Sequence, residues 1–391
     1  MNDKTRDFIE RNLDADIRQL ALKGCRDKEV DFDTALRQIA GRQTARRKLP
    51  TWAAIDGIIY PPHLNMEQCS SEQTARYKAS ICRRLLQSPS TNLVDLTGGF
   101  GVDFAFMSEA FNEATYIERN SELFAISSKN MNLLVPKAKC INADGMEVLH
   151  TIDHVSMIFM DPARRDDHGA RTYGISDCTP NILEIKDELL EKADFVMLKL
   201  SPMLDWRKAV RDLGESFVHE IHIISVQNEC KELLMVLGKT GPSYRLFCVN
   251  DDHIWEVPST DTSIQGHYRE EDAAYLYEPN ASIMKAGCFQ EVAVTYQVQP
   301  LAPNSHLFIS SRLIEDFPGR KFRIQTVTSM NKQELKVALK DIQKANITVR
   351  NFPMSVAELR KKIKLSEGGN NYIFATTLAE GKKVLIICQH L

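Results

Sequence analysis

The chain of 391 residues contains no run of the roughly 18–20 apolar residues that a membrane-spanning helix requires. Its opening, Met-Asn-Asp-Lys-Thr-Arg-Asp, is too polar for a secretory leader, so a cytoplasmic location is expected. No Cys-x-x-Cys pair occurs among the nine cysteines, an odd number spread from Cys25 to Cys388. That spacing argues against a disulfide framework and against a structural zinc site, and the cysteines read as reduced thiols. His219 and His222 share a strand-like stretch with apolar neighbours and read as packing residues, so no metal is expected. Internal repeats and low-complexity tracts are missing too. What remains, 43% hydrophobic and 26% charged residues over this length, is the composition of a globular chain with two or three domains.

Two stretches carry chemistry. Leu93-Val94-Asp95-Leu96-Thr97-Gly98-Gly99-Phe100-Gly101 is a short apolar strand running into a glycine turn that opens a helix. Ile158-Phe159-Met160-Asp161-Pro162-Ala163-Arg164 is an apolar strand ending in an acid followed by proline. Buried strands of a parallel sheet are near-continuous apolar runs, and ligands bind outside their carboxyl ends. Glycines at 98, 99 and 101 let the backbone turn sharply and approach a ligand at the N-terminus of the next helix. A further strand, Ala114 to Glu118, ends in an acid 17 residues beyond Gly101, where it can accept hydrogen bonds from ribose hydroxyls. These features point to a nucleoside cofactor.

A dinucleotide fingerprint laid on Gly99 and Gly101 demands a third glycine where Phe104 stands, so it fails. S-adenosylmethionine has no pyrophosphate; it needs close backbone approach, a ribose acid and a polar residue beside adenine, and Ala143-Asp144-Gly145 supplies the last. Residues 90 to 250 resemble a class I S-adenosylmethionine-dependent methyltransferase, with Asp95 to Gly101, Glu118, Asp144 and Asp161-Pro162-Ala163-Arg164 at its first four motifs. The pattern Asp-Leu-Thr-Gly-Gly-Phe-Gly-Val-Asp, the upstream Glu67-Gln68-Cys69-Ser70-Ser71-Glu72 and the closing domain resemble bacterial methyltransferase-like proteins with a THUMP-like C-terminal domain. Guanine-N2 ribosomal RNA methyltransferases are similar in the catalytic core alone.

The resemblance implies an α/β fold: a Rossmann-like seven-stranded methyltransferase sheet, an N-terminal helical segment, and small C-terminal α+β domains, ferredoxin-like and THUMP-like. The expected division is 1–75 helical, 76–270 methyltransferase, 271–318 ferredoxin-like and 319–391 THUMP-like. It also implies cofactor contacts from Asp95, Thr97, Gly98, Gly99, Gly101, Glu118 and Asp144.

Along the chain, residues 1 to about 50 read as helices, and Ser70-Ser71-Glu72 starts another running to about Leu86. A helix near Pro180 to Lys192 and strands at 195–200, 219–226 and 244–249 follow, with Cys230 to Leu237 helical between the last two. The stretch from 252 to 280 has turn composition and is expected to leave the catalytic domain. Beyond it, 291–296, 306–310, 322–327 and 384–388 read as strands, and Lys332 to Lys344 as an amphipathic helix.

Charge is uneven. Residues 319–391 hold 14 lysines and arginines against 5 acids, a balance of +9, so residues 1–318 carry −12 against −3 for the whole. Lys332, Lys336, Lys340 and Lys344 recur at helical spacing, and Arg360-Lys361-Lys362-Ile363-Lys364 adds a second cluster. Any single lysine is best read as solvated surface; a domain biased this far suggests a phosphate-tracking surface. THUMP domains being RNA-binding by family, RNA (ribosomal or transfer) is the expected partner, with Lys332, Lys336, Arg360 and Lys361 as contacts.

In amino methyltransferases the fourth-motif acid and proline carbonyl accept hydrogen bonds from an exocyclic amine while an aromatic residue stacks on the base. Asp161 and Pro162 fit the first task. Ala163 and Arg164 stand where the aromatic belongs, leaving Tyr173 or the flat Arg164 guanidinium as candidates to replace it. Lys199 and Ser201, at the end of the 195–200 strand, are candidates for the substrate pocket, and Lys199 fits equally as an ion-pair partner of Asp161 or Asp95. A pyrimidine-C5 reaction would need a thiolate, and Cys178, the one cysteine in the following loop, lacks a proline-flanked setting. The expected activity is methylation of a base nitrogen, guanine N2 first; the alternatives are a small-molecule or protein methyltransferase and a noncatalytic RNA-binding protein.

Overall fold

The computed structural model describes residues 1–86, 88, 90–164, 174–239, 243–259, 273–379 and 381–391, with Arg164 by its backbone. The chain divides into two compact units: Met1–Ile221 with Glu232–Tyr244, and His222–Lys231 with Arg245–Leu391.

The first unit begins with helices Asp3–Arg11, Ile17–Lys23 and Phe32–Lys48, which bury Ile9, Leu20, Ala35 and Ile39 against one another. Each starts where a short polar side chain precedes the apolar periodicity: Asn2, Asp16 and Asp31 accept from the backbone N–H groups of Thr5, Gln19 and Thr34 at 2.8–3.1 Å. The helix Glu72–Leu85 is capped likewise by Ser71, as expected, and turns Ala75, Lys78, Ala79 and Cys82 inward. A lysine on that inward face is unusual, and it matters to the site.

The strands of this unit are β1 (Asn92–Asp95), β2 (Glu113–Ile117), β3 (Lys139–Ile141), β4 (Val155–Met160), the two-residue pair β5 (Ala163–Arg164) and β6 (Cys178–Thr179), β7 (Ala193–Leu200), β8 (Val218–Val226, to Ile221 in this unit) and β9 (Glu229–Gly238). The order β3-β2-β1-β4-β7-β9 puts β1 between parallel neighbours β2 and β4, the point where the winding direction reverses. β9 corrects the helix expected over 230–237. Its run Leu233 to Leu237 is continuously apolar, a pattern shared by buried helices and buried strands. Antiparallel pairing with β7, Phe195 opposite Gly238 through Leu200 opposite Leu233, settles it as a strand buried on both faces.

The second unit holds the antiparallel hairpin β10 (Arg245–Asn250) and β11 (His253–Glu256), and a seven-stranded sheet. That sheet contains β12 (Tyr275–Pro279), β13 (Gln299–Pro300), β14 (Phe308–Ser310), β15 (Gly319–Ser329), β16 (Asn346–Val349), β17 (Asn371–Thr377) and β18 (Lys383–His390), in the order β13-β14-β12-β15-β18-β17-β16. Alternation along β17 and β18 sends Phe374, Ile386 and Cys388 into one core and Ile373, Ala375, Leu385 and Ile387 into another. Two expectations are corrected here. Residues 291–296, read as a strand from their β-branched content, lie in the helix Phe289–Tyr296, which buries the adjacent Val292 and Ala293. The helix expected over 332–344 stops at Ala338, so Lys340 and Lys344 lie beyond it rather than on its face. Among the described residues no helix is long and apolar enough to cross a membrane.

Candidate functional site

The site is built at the carboxyl ends of β1, β2, β3, β4 and β7. The glycine turn after β1 is shaped by close packing. Gly98 lies against the Tyr116 ring, which a Cβ would meet at 2.2 Å, while Gly99 (φ +56°) and Gly101 (φ +85°) take left-handed conformations. Tyr116 Oη donates to the Gly99 carbonyl at 2.5 Å, fixing the turn from below. Glu118, just past β2, accepts from the Gly99 N–H at 2.8 Å and the Asn120 N–H at 2.6 Å, one bond to each carboxylate oxygen. Each oxygen retains a further acceptor position, so the carboxylate is oriented yet able to receive two hydroxyls. Asp144 caps the helix Gly145–Thr151 through the Met146 N–H at 2.8 Å.

Glu118 and Asp144 line a cavity of about 440 Å³ bounded also by Leu96, Thr97, Asn120, Met146, Asp161 and Pro180. An adjoining cavity of about 170 Å³ is lined by Asn65, Cys69, Thr97, the glycine turn, Asp103, Asp161 and Lys199. Asn65, Thr97 and Asp161 line both. The glycine turn, an oriented ribose-accepting acid and a polar cap beside a cavity at the reversal point of the sheet fit S-adenosylmethionine. Gly145 holds the Asp144 cap close against the end of β1: a Cβ there would stand 2.2 Å from the Leu96 carbonyl oxygen, a backbone atom. Gly145→Ala should therefore push the cap off β1, lowering affinity for S-adenosylhomocysteine at least about tenfold by calorimetry, and cost about 1–3 kcal/mol of stability.

Behind Asp161 runs a buried chain of alternating charges. The Asp161 N–H donates to Thr97 Oγ1 at 2.6 Å, and its Oδ2 accepts from Lys199 Nζ at 2.7 Å. Lys199 also lies 3.5 Å from Asp103, which lies 3.1 Å from Lys78. Lys78 is completely buried and closes the chain on Glu232 of β9. Ser70 Oγ donates to Asp103 at 2.7 Å. Burial works against the Lys199 ammonium, but Asp161, Asp103 and Glu232 outweigh it and hold its pKa well above the usual lysine range. Burial likewise opposes ionisation of Asp103, and the two lysines overcome it and lower its pKa. Asp95 has no cation to do this. Burial, with Asp103, Asp161 and Glu118 nearby, pushes its pKa well above the carboxylate range, and its Oδ1 accepts from the Thr97 N–H at 2.9 Å.

Of the residues singled out in the sequence, Asp95, Thr97, Gly98, Gly99, Gly101, Glu118, Asp144, Asp161 and Lys199 meet at these cavities. Pro162 is buried and lines neither; Ser201 lies in the turn after β7, where its Oγ accepts from the Met203 N–H, and lines neither. Tyr173 and the Arg164 side chain lie outside the described residues. Cys178 is buried in β6, off the cavities, and the cysteine that does line one, Cys69, has its thiol pushed up to about 11 by burial, unsuited to a thiolate. Sequence reasoning missed Asn65, Ser70, Lys78, Asp103 and Glu232. Among the described residues no group of histidine, cysteine or acid side chains is placed to hold a metal, and all nine cysteines are free.

In the second unit Lys332, Lys336 and Lys361 are exposed and form no ion pair among the described residues, while half-buried Arg360 donates to the Ala345 carbonyl at 3.1 Å. They sit on the helices Lys332–Ala338 and Val356–Ile363.

Comparison with known proteins agrees with this geometry. A profile described as THUMP domain-like matches residues 319–390, and one described as a ferredoxin-like domain matches 275–318. No curated protein matches the chain. Among solved structures, a candidate methyltransferase from Porphyromonas gingivalis W83 is 30% identical with a TM-score of 0.83, over 100% of this chain and 99% of that one. A candidate class I S-adenosylmethionine-dependent methyltransferase from Listeria monocytogenes is 9% identical, over 64% of this chain and 93% of its own, with a TM-score of 0.41. A candidate RNA methyltransferase from Pyrococcus horikoshii is 14% identical, over 50% and 99%, with a TM-score of 0.35. The likeness to the Porphyromonas protein along the whole chain, with the sheet order and glycine turn, establishes that this protein belongs to the class I S-adenosylmethionine-dependent methyltransferases with C-terminal ferredoxin-like and THUMP-like domains, and that S-adenosylmethionine is its cofactor.

Proposed function

We propose that the protein transfers methyl groups to RNA, with Asp161 holding the acceptor and the basic C-terminal domain tracking the RNA backbone. The observation that carries the first half is Asp161 itself, a carboxylate 41% exposed at the wall shared by both cavities. The cofactor supplies an activated methyl on a sulfonium, so the chain's own work is to align the acceptor for in-line attack and to stabilise charge as it shifts. In this reading Glu118 receives the ribose hydroxyls, Asp144 lies beside the adenine, and the glycine turn admits the rest of the cofactor. Thr97 fixes the backbone of Asp161, and Lys199 fixes its side chain. The pattern of an aspartate followed by proline by itself points to guanine N2 in ribosomal or transfer RNA; the groups around Asp161 in the fold bear on whether a base amine or another RNA nucleophile is the acceptor.

The RNA half rests on the THUMP-like match, on 14 basic against 5 acidic residues in 319–391, and on exposed lysines that form no ion pair among the described residues. Changing Lys332, Lys336, Arg360 and Lys361 together to glutamate should weaken RNA binding at least about tenfold at physiological salt and flatten its salt dependence. Unchanged affinity and slope, measured by fluorescence anisotropy across a salt series, would remove this surface from the reading. The direct test is transfer of labelled methyl to total RNA from cells lacking the protein. Label in RNA is expected; none, despite calorimetric binding of S-adenosylhomocysteine, would turn the search to protein or small-molecule acceptors.

A further inference from the structure

We propose that the acceptor held at Asp161 is a hydroxyl, the ribose 2′-hydroxyl of RNA, rather than an exocyclic base amine. The inference rests on the RNA reading above and names its acceptor chemistry. Three observations carry it.

The first is the sign of the charge beside the acceptor. Lys199 Nζ is 2.7 Å from Asp161 Oδ2 and lines the same cavity. An amine that attacks the methyl becomes positive as the bond forms, and an ammonium next to it raises the barrier. A hydroxyl does the opposite: it must give up a proton, its oxygen carries negative charge as the bond forms, and a fixed ammonium stabilises that charge. The second is the permanence of that cation. Lys199 is held between Asp161 and Asp103, and Asp103 is held in turn by the fully buried Lys78, itself paired with Glu232. A chain of this kind keeps Lys199 charged and aimed. The third is what an amine site would need and the described residues lining these cavities do not present. Orienting an NH2 takes two acceptors and a stacking ring. Pro162, the second acceptor of that arrangement, lines neither cavity. The described aromatic residues lining the cavities, Phe100 and Phe159, are both buried.

In the step, the hydroxyl proton passes to Asp161 Oδ1 while the oxygen lone pair forms the new O–C bond. The S–C bond breaks, and its electron pair leaves on sulfur as S-adenosylhomocysteine. The products are a methyl ether, the neutral thioether and a protonated Asp161, which returns its proton to solvent. Lys199 donates to the oxygen throughout and keeps its own proton. RNA carries such a hydroxyl on every internal nucleotide, independent of the base, which agrees with a site that lacks a described base-stacking ring.

The test is product identity together with a positioning variant. RNA methylated with labelled donor is split into one half for alkaline hydrolysis and one for nucleoside mass spectrometry. Label in an alkali-resistant dinucleotide and in a 2′-O-methylnucleoside is expected. Lys199→Met should lower kcat by about 10²–10³-fold, and Lys199→Arg should recover most of it. Without donor, Lys199→Met should bind RNA and S-adenosylhomocysteine within about twofold of the parent, which separates charge stabilisation from a folding defect. Label in N2-methylguanosine, or in any base, would overturn the hydroxyl assignment and leave the RNA reading standing. Equal kcat for parent and Lys199→Met would overturn it as well. No label in RNA at all would sink the RNA reading, and this inference with it.

Discussion

Asp161→Ala should lower methyl transfer by about 10²–10⁴-fold, the range associated with losing a positioned general base, while S-adenosylhomocysteine affinity stays within about twofold. The split follows from where the carboxylate stands. The bonds that shape the cofactor side, from Glu118 to Gly99 and Asn120 and from Asp144 to Met146, do not involve the Asp161 side chain. The Thr97 bond reaches the Asp161 backbone N–H, which alanine keeps. What alanine removes is the carboxylate at the wall shared by both cavities and the partner of Lys199. Calorimetry and a single-turnover assay on the same preparation decide the matter. If affinity fell as steeply as rate, Asp161 would be part of the scaffold, and the acceptor assignment would have to move elsewhere.

Lys78→Met should be the most damaging single change to stability, about 3–5 kcal/mol, because it strands charges that cannot reach water. Lys78 is completely buried, and the side chains of its partners Asp103 and Glu232 are 10% and 7% exposed. Its loss also releases the brace behind Lys199, so activity should fall even at temperatures where the variant is folded. The pH dependence has a definite sign. Asp103 has a pKa lowered in the folded protein, so its pairing stabilises the parent above the unfolded carboxylate pKa and is lost as pH falls through the folded value. The gap in stability between parent and variant should therefore be widest near neutrality and close in acid, where the stranded Asp103 protonates. Chemical denaturation at pH 7 and pH 4 reads this directly; a gap independent of pH would mean that lost packing, rather than unpaired charge, is what the variant suffers.

Much of the first unit is legible in the chain because its signals are local. A capping serine before an inward face, an apolar run closed by a glycine turn, and an acid just past a strand end each occupy a few consecutive residues, and the helix from Glu72, β1, β2 and β4 follow from them. Elements whose identity depends on a distant partner were harder to read. Leu233 to Leu237 suits a buried helix as well as a buried strand until β7 lies alongside. Val292 to Tyr296 has strand-like composition, yet the fold uses it as a helix. Lys78 did leave a trace: it falls in register with Ala75, Ala79 and Cys82, on the face that the apolar pattern turns inward. A lysine on such a face is almost never buried without a partner, and that register alone asks for acids somewhere else in the chain.

Which acids answer is beyond any local pattern. The glycine turn, the acid after β2 and the basic bias of the last domain determined the class of enzyme and its cofactor, because cofactor recognition is built from backbone turns and strand ends that short segments specify by themselves. The acceptor side was decided by tertiary structure. Asp161, Lys199, Asp103, Lys78 and Glu232 come from five separate elements and sit within hydrogen-bonding or ion-pairing reach only because the sheet order sets β4, β7 and β9 side by side, with the helix from Glu72 packed nearby. Charge–charge coupling depends on distance and burial, and neither quantity is written along the chain.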